Sequence, residues 1–239
     1  MTVTITEEVN DLELKKCKMN CDKDLGEIPE PFSSRSFFMA ISGSPGSGKS
    51  SLMVSVLNQN KPRIYKGVFH NVFIIAPKAS LESITSNIFR NHNPEKIYNT
   101  LNTETLDDIK QKTKEESEEG FTSLIIIDDQ TAHLKDKNIQ LQLQEIITNR
   151  RHARTSIMLL VQSYNSIPLV LRKSIMQAII FKPLNKRELS SMFDEILFQP
   201  KDIAEAVSSY VFKDKHDFLF INVSTGNLYK KFNKLIIND

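Results

Sequence analysis

The sequence predicts one α/β domain in which helices flank a mostly parallel central sheet. Short runs rich in Ile, Val, Leu and Phe alternate along the chain with segments of helical period, which is typical of α/β proteins. The runs are apolar almost throughout, as expected for parallel strands that are covered on both faces. Hydrophobic residues make up 40% and charged residues 25% of the 239 residues, which excludes a disordered chain.

The apolar runs and helical patterns also give the order of the elements. Strands are predicted over residues 36–42, 72–76, 121–127, 156–161 and 176–181. Helices are predicted over residues 50–60, 136–150, 186–197 and 201–212, with a polar and mostly helical pattern over residues 81–119 that Gly120 ends. The last segments, 216–223 and 228–232 with a turn between them, predict a C-terminal β-hairpin.

Residues 1–34 mix charge with Pro29 and Pro31 and show little periodicity, which predicts an N-terminal extension or arm before a domain of residues 35–239. Residues 1–30 hold eight acids and four lysines, a net charge of −4, whereas the whole chain carries +2. The arm also holds the two cysteines, Cys17 and Cys21. Since no second pair or histidine lies near them, we expect two plain thiols in a reducing intracellular setting, not a zinc site.

Three of the seven glycines, Gly43, Gly46 and Gly48, fall within eight residues between a predicted strand and a predicted helix. This segment matches G-x-x-x-x-G-K-[ST], and with the residue after it the predicted nucleotide-binding set is Gly43, Ser44, Pro45, Gly46, Ser47, Gly48, Lys49, Ser50 and Ser51. Glycines let consecutive backbone N–H groups turn towards a phosphate, and the following helix adds the positive end of its dipole. The pattern predicts that Lys49 reaches the β- and γ-phosphates of ATP and that the Ser50 hydroxyl binds Mg²⁺.

Two further apolar runs end in polar residues that suit the same site. Asp128 and Asp129 follow one run, and Gln162 follows the next. Ligands bind at the carboxyl ends of parallel strands, so we expect Asp128 to hold Mg²⁺ through water and Asp129 to polarise an attacking water. Gln162 is expected to sense the γ-phosphate or to orient water. The alternatives are that Asp129 is a helix N-cap or loop acid and that Gln162 is an ordinary strand exit.

Two long windows of the sequence contain no acid. Residues 31–80 carry six bases, and residues 146–187 carry eight: Arg150, Arg151, Arg154, Arg172, Lys173, Lys182, Lys186 and Arg187. The pattern favours a surface that faces polyanions, either nucleotide phosphate or nucleic acid. A solvated basic face that is balanced by acids elsewhere is the alternative.

The sequence argues against a membrane or secreted location. No apolar run approaches the roughly 18 residues that a membrane helix needs. Glu7 and Glu8 lie where a signal peptide would be basic and then apolar. We therefore expect no membrane segment and no secretion.

Four blocks in order resemble a known group of proteins: residues 43–50, residues 125–129, residues 149–152 (Asn-Arg-Arg-His), and Gln162 followed by Ile167-Pro168 and Leu171-Arg172. Together they resemble the poxvirus-type genome-packaging ATPases of large DNA viruses and virophages, in the FtsK/HerA superfamily. The resemblance covers roughly residues 35–235. It implies a RecA/FtsK-like P-loop ATPase fold and an ATP-driven ring that threads double-stranded DNA into a preformed capsid.

The resemblance also implies roles and partners. Lys49 and Ser50 would bind phosphate and Mg²⁺, Asp128 would bind Mg²⁺, Asp129 would be the catalytic acid and Gln162 the sensor. Many superfamily members have Glu where this chain has Asp129. An arginine would complete a neighbour's site, with Arg151 and Arg172 as candidates and Arg154 as a third. The implied partners are double-stranded DNA, further copies of the chain and a capsid or portal-vertex protein, in the host cytoplasm, viral factory or virion.

Two other functions use the same phosphate loop. A P-loop kinase of a small acceptor would need an acceptor pocket and a basic lid, for which only residues 150–154 offer a candidate. A non-hydrolysing ATP-binding adaptor would not need Asp129 as a base. ATP turnover separates these functions.

Overall fold

The computed structural model describes residues 24–84, 88–183, 185–197 and 201–237. Cys17, Cys21 and most of the predicted arm lie outside these ranges. Within them, one sheet has nine strands: Phe38–Ser42 (β1), Asn71–Ile75 (β2), Ile97–Tyr98 (β3), Ser123–Asp128 (β4), Thr155–Val161 (β5), Gln177–Phe181 (β6), Phe218–Asn222 (β7), Asn227–Lys230 (β8) and Asn233–Lys234 (β9).

The strand order across the sheet is β3-β2-β4-β5-β1-β6-β7-β8-β9. The strands from β3 to β6 in this order are parallel to their neighbours, and β7, β8 and β9 are antiparallel. The predicted fold class is confirmed, including the mostly parallel sheet and the C-terminal hairpin. β5 lies between β1 and β4, and this arrangement determines the geometry of the site.

The helices that flank the sheet in the described residues are Lys49–Asn58 (α1), Lys78–Glu82 (α2), Thr103–Glu118 (α3), Lys137–Asn149 (α4), Leu169–Arg172 (α5), Lys186–Met192 (α6) and Lys201–Val211 (α7). A π-helical turn, Phe193–Leu197, continues α6. The prediction of a mostly helical segment over residues 81–119 was too simple. A 3₁₀ turn at Pro94–Lys96 leads there into the edge strand β3, whose two residues are too few to produce a period in the sequence. The two-residue strand β9 was missed for the same reason.

Side chains of each central strand alternate between two apolar layers. Phe38 and Ala40 belong to the layer that contains α3 and α4, and Met39 and Ile41 belong to the layer that contains α1. All five residues of β1 are buried. This two-sided burial is why the strands read as continuous apolar runs and not as alternating ones.

Residues 24–34 pack against the apolar layer that contains α1. Phe32 is 6% exposed and makes edge-to-face ring contacts with Tyr65 and Phe220. The Tyr65 hydroxyl donates to the Ser33 carbonyl at 2.8 Å. The division of the chain at residue 34 stays a prediction. No helix in the described ranges is both long and apolar enough to span a bilayer.

A buried carboxylate fixes the turn before β7. The Asp217 side chain is fully buried, and Lys231 and Lys230 approach it at 2.9 and 3.4 Å. The backbone N–H of Asp214 donates to Asp217 Oδ2 at 2.9 Å and, together with the two lysines, lowers the pKa of Asp217 to about 2. The turn at residues 214–217 is therefore held from the C-terminal strands.

We predict that Asp217→Asn lowers the free energy of unfolding at pH 7 by roughly 1–3 kcal/mol, since it removes a buried hydrogen-bonded charge. Because the folded-state pKa of Asp217 is depressed, its contribution is complete above about pH 4 and is lost as the pH falls through about 2. Urea unfolding measured across this range should show the gap between wild type and variant closing. Asp214→Asn, at an exposed position of the same turn, is the control. A gap that is constant with pH would contradict the assignment.

Candidate active site

The phosphate loop, residues 43–50, connects β1 to α1 and requires glycine at three positions. Gly46 and Gly48 have φ angles of 73° and 112°, which side chains rarely adopt. A Cβ on Gly43 would lie 2.7 Å from the Cβ of Phe181, which cannot move without the backbone of β6. Gly46 and Gly48 are therefore required for their backbone conformation, and Gly43 for its close contact with β6.

Lys49 is the first residue of α1, and its side chain folds back over the loop. Its ammonium donates to the carbonyls of Gly43 at 2.6 Å and Ser44 at 3.2 Å. Burial lowers the pKa of Lys49, and the charges of Asp128 and Asp129 act in the opposite direction. Because burial disfavours the charged form of Lys49, an anionic ligand beside the ammonium would stabilise it.

The strand order brings the other predicted residues to the same edge. Ser42 pairs with Val161, and Asp128 pairs with Leu160, so the carboxyl ends of β1, β5 and β4 lie side by side. A cleft of about 200 Å³ at this edge is lined by the phosphate loop and by the polar residues at the ends of β4 and β5. Its lining includes Pro45, Gly46, Lys49, Ser50, Ser80, Ser83, Asp128, Asp129, Thr131 and Gln162.

Ser50 and Asp128 form an oxygen pair that fits a divalent cation. Ser50 Oγ lies 3.4 Å from Asp128 Oδ2. Hydroxyl and carboxylate oxygens are the donor type that Mg²⁺ prefers, either directly or through its bound waters. Burial raises the pKa of Asp128. The charge of Lys49 lowers this pKa, and the charge of Asp129 raises it. A cation held between these oxygens would relieve the disfavoured charge.

Asp129 is exposed and has a left-handed φ of 55°. Ser80 Oγ lies 3.4 Å from its Oδ2. The next residue, Gln130, is buried and accepts from the backbone N–H of Leu101 at 3.0 Å while donating to the Asn99 carbonyl at 3.1 Å. Sequence reasoning missed Ser80 and Gln130. Gln130 had only its place after the acid pair as a signal, and Ser80 had none.

A larger cavity of about 610 Å³ continues from the phosphate loop along α1. It is lined by Gly46, Gly48, Lys49, Ser50, Ser51, Val54, Ser55, Ser83, Ile84 and His216. His216 comes from the turn before β7, and sequence reasoning missed it because nothing in the pattern links residue 216 to residue 47. The predicted loop residues Gly46, Gly48, Lys49, Ser50 and Ser51 all reach this cavity.

The candidate arginines lie elsewhere. Arg172 Nη1 donates to Glu195 at 2.9 Å and to Asn165 at 3.3 Å, and its side chain is 14% exposed. Its guanidinium also lies 5.3 Å from the Tyr164 ring centroid. Arg151 and Arg154 precede β5 and therefore lie at the amino edge of the sheet, opposite the cleft. Within the described part of the chain, no arginine lines the cleft.

The sequence matches the Poxvirus A32 protein family over residues 30–232, most of the chain. The chain belongs to the Poxvirus A32 protein family. This confirms the resemblance that the four blocks indicated. No curated protein sequence matches the chain.

Solved structures share the fold of this A32 family member. The DNA-packaging ATPase B204 of Sulfolobus turreted icosahedral virus has a TM-score of 0.63 at 17% identity, over 85% of this chain and 99% of B204. The genome-packaging NTPase B204 of Sulfolobus turreted icosahedral virus 2, in complex with ATP-γ-S, gives 0.58 and 19% over 82% and 96%. ATPases 2 and 3 of EssC from Geobacillus thermodenitrificans give 0.51 and 15% over 78% and 37%. These likenesses are to proteins described as ATPases or an NTPase, and they support the fold.

We predict that Lys49→Met raises the pKa of Asp128 further, because the Lys49 ammonium is the main charge that lowers it. Carboxyl ¹³C chemical shifts followed against pH measure this pKa. The exposed Lys78, replaced in the same way, is the control and should leave the Asp128 titration unchanged. An unchanged or lower pKa in Lys49→Met would show that the two charges do not interact as described.

Proposed function

We propose that the chain hydrolyses ATP and uses the energy to move double-stranded DNA into a viral capsid. Membership of the Poxvirus A32 protein family supports a role as a packaging ATPase. The single observation that carries the chemistry is the cleft at the carboxyl edge of the sheet, where Lys49, Ser50, Asp128, Asp129 and Gln162 meet. The two structures of B204 are of packaging proteins, and one of them holds an ATP analogue.

The phosphate loop would bind the triphosphate. The N–H groups of residues 46–50 and the dipole of α1 favour negative charge at this point. Lys49 would exchange its bonds to the Gly43 and Ser44 carbonyls for bonds to phosphate oxygens. The cavity along α1 has room for the nucleoside, beside Ser51, Val54 and Ser55.

Ser50 would bind Mg²⁺ directly and Asp128 through a water molecule, since both are hard oxygen donors and they lie 3.4 Å apart. When bound, the ion would neutralise charge on the phosphate oxygens. The raised pKa of Asp128 reflects burial of a carboxylate that a cation would compensate. This is the role that the sequence assigned to both residues.

Asp129 and Gln162 would act on the attacking water. Asp129 lies in the cleft at an exposed position, where a carboxylate can accept a proton from water. Gln162 follows β5, which lies between β1 and β4, and could orient the same water by hydrogen bonding. The buried amide of Gln130 holds the backbone next to Asp129 and thereby limits where its carboxylate can point.

A ring would complete the site from a neighbouring subunit. The absence of arginine from the cleft lining in the described residues supports a donor on another copy. Arg151 lies at the opposite edge, which a head-to-tail neighbour could present to this cleft. Arg172 would first have to leave Glu195. The basic residues Lys173, Lys182 and Arg187 are exposed and available to DNA or to a neighbour, and capsid attachment belongs to the same proposal.

We expect wild-type protein to hydrolyse ATP, with a rate that duplex DNA changes, when measured as phosphate release under assembly conditions. Lys49→Ala should abolish turnover, and Asp129→Asn should lower kcat by about 10²- to 10⁴-fold while retaining ATP binding, because it removes the base. Asp107→Asn, an exposed acid on α3, is the matched control.

No turnover by wild type would contradict the proposal. ATP binding without turnover would favour an adaptor. Transfer of phosphate to a small acceptor would favour a kinase.

A mixing experiment tests the arginine. We predict that Arg151→Ala or Arg172→Ala subunits, inactive alone, regain activity when mixed with Asp129→Asn subunits. In a mixed ring, the intact acid of one subunit meets the intact arginine of the other. Failure of both mixtures to regain turnover would argue against an arginine donated between subunits at these positions.

A further inference from the structure

His216 contacts the phosphate loop from the far end of the chain. Its Nδ1 lies 2.9 Å from the carbonyl oxygen of Ser47, and the side chain lines the cavity along α1. Since a carbonyl can only accept, Nδ1 must be the donor, and the imidazole carries its proton there. A Cβ on Gly48 would lie 3.5 Å from the same nitrogen, so the ring sits directly against the Ser47–Gly48 peptide.

The geometry of a trans peptide makes this contact consequential. The C=O and N–H of one peptide unit point in opposite directions within one plane. When His216 holds the Ser47 carbonyl on its own side, the N–H of Gly48 points away from His216. Gly48 is the N-cap of α1, and the N–H groups at this helix start are the ones that bind phosphate.

The turn that carries His216 is held by buried contacts, whereas the loop it contacts contains two glycines with left-handed φ angles. Asp217 is fully buried between two lysines and accepts from the Asp214 N–H. The ring of Phe218, the residue after Asp217, lies 5.4 Å from the ring of Phe181. Phe181 in turn lies against Gly43 and Gly48 of the phosphate loop. His216 itself is exposed, so its ring could bond to water and does not need Ser47 for its own hydrogen bonding.

We propose that His216 is a positioning residue of the nucleotide site, which fixes the Ser47–Gly48 peptide so that the Gly48 N–H faces the nucleotide phosphates. The inference rests on the proposed ATP site. It makes the antiparallel β7–β8 hairpin part of that site, because the hairpin lysines hold the turn before β7. Bound phosphates, not the nucleoside, are the ligand part that His216 affects.

Nucleotide affinity tests the proposal without requiring turnover. We expect His216→Ala to weaken ADP and ATP binding by about three- to tenfold, the value of one hydrogen bond, and to leave adenosine binding unchanged. His216→Asn, whose amide can donate from a similar position, should recover part of the affinity. His152→Ala removes an exposed imidazole outside both cavities and serves as the control.

An NMR measurement reads the peptide itself. Labelling serine at the carbonyl carbon with ¹³C and glycine with ¹⁵N marks only two Ser–Gly peptides, Ser42–Gly43 and Ser47–Gly48. His216→Ala should shift the Gly48 amide and spare Gly43, whose N–H donates to Val161 at 3.2 Å. His216→Asn should return the Gly48 amide towards its wild-type position.

Equal ADP affinity in wild type and His216→Ala, or a Gly48 amide that does not shift, would overturn the inference and leave the ATPase proposal standing. An equal loss of adenosine and ADP binding would also overturn it, since that pattern indicates general damage to the cavity. A wild-type protein that binds neither ADP nor ATP would overturn both proposals.

Discussion

The site depends on one constraint, which is the burial of the central parallel strands on both faces. Such strands cannot hold a charged side chain in their middle without large cost, so polar chemistry is confined to their ends. Parallel direction brings those ends to one edge. Because β5 separates β1 from β4, the phosphate loop, the Gln162 exit and the Asp128 exit form a row. The cleft is the space that this row encloses.

Electrostatics at this edge favours a charged ligand. Burial disfavours the ammonium of Lys49 and the carboxylate of Asp128, and each partly compensates the other. In the proposed function, a triphosphate would supply negative charge to Lys49 and a divalent cation would supply positive charge to Asp128. The Asp217 carboxylate contrasts with this, since a backbone N–H and two lysines already stabilise it within the fold and lower its pKa.

Local patterns in the sequence predict much of this arrangement. Continuous apolar runs identify the central strands, the glycine spacing identifies the phosphate loop, and the polar strand exits identify Asp128, Asp129 and Gln162. Contacts between distant residues were not predictable. Three such contacts depend on how the elements pack: His216 with Ser47, Gln130 with Leu101, and Arg172 with Glu195. A two-residue strand such as β3 is too short to show a period in the sequence.

Metal affinity in the presence of nucleotide tests the central claim, that Ser50 and Asp128 lie where a nucleotide-bound cation is held. Mn²⁺ can replace Mg²⁺, and its binding with ATP can be followed by electron paramagnetic resonance in wild type, Asp128→Asn and the surface control Asp107→Asn. We expect Asp128→Asn alone to weaken Mn²⁺ binding by about 10- to 100-fold, because Asp128 acts on the metal through water. Equal Mn²⁺ affinity in Asp128→Asn and wild type would contradict it.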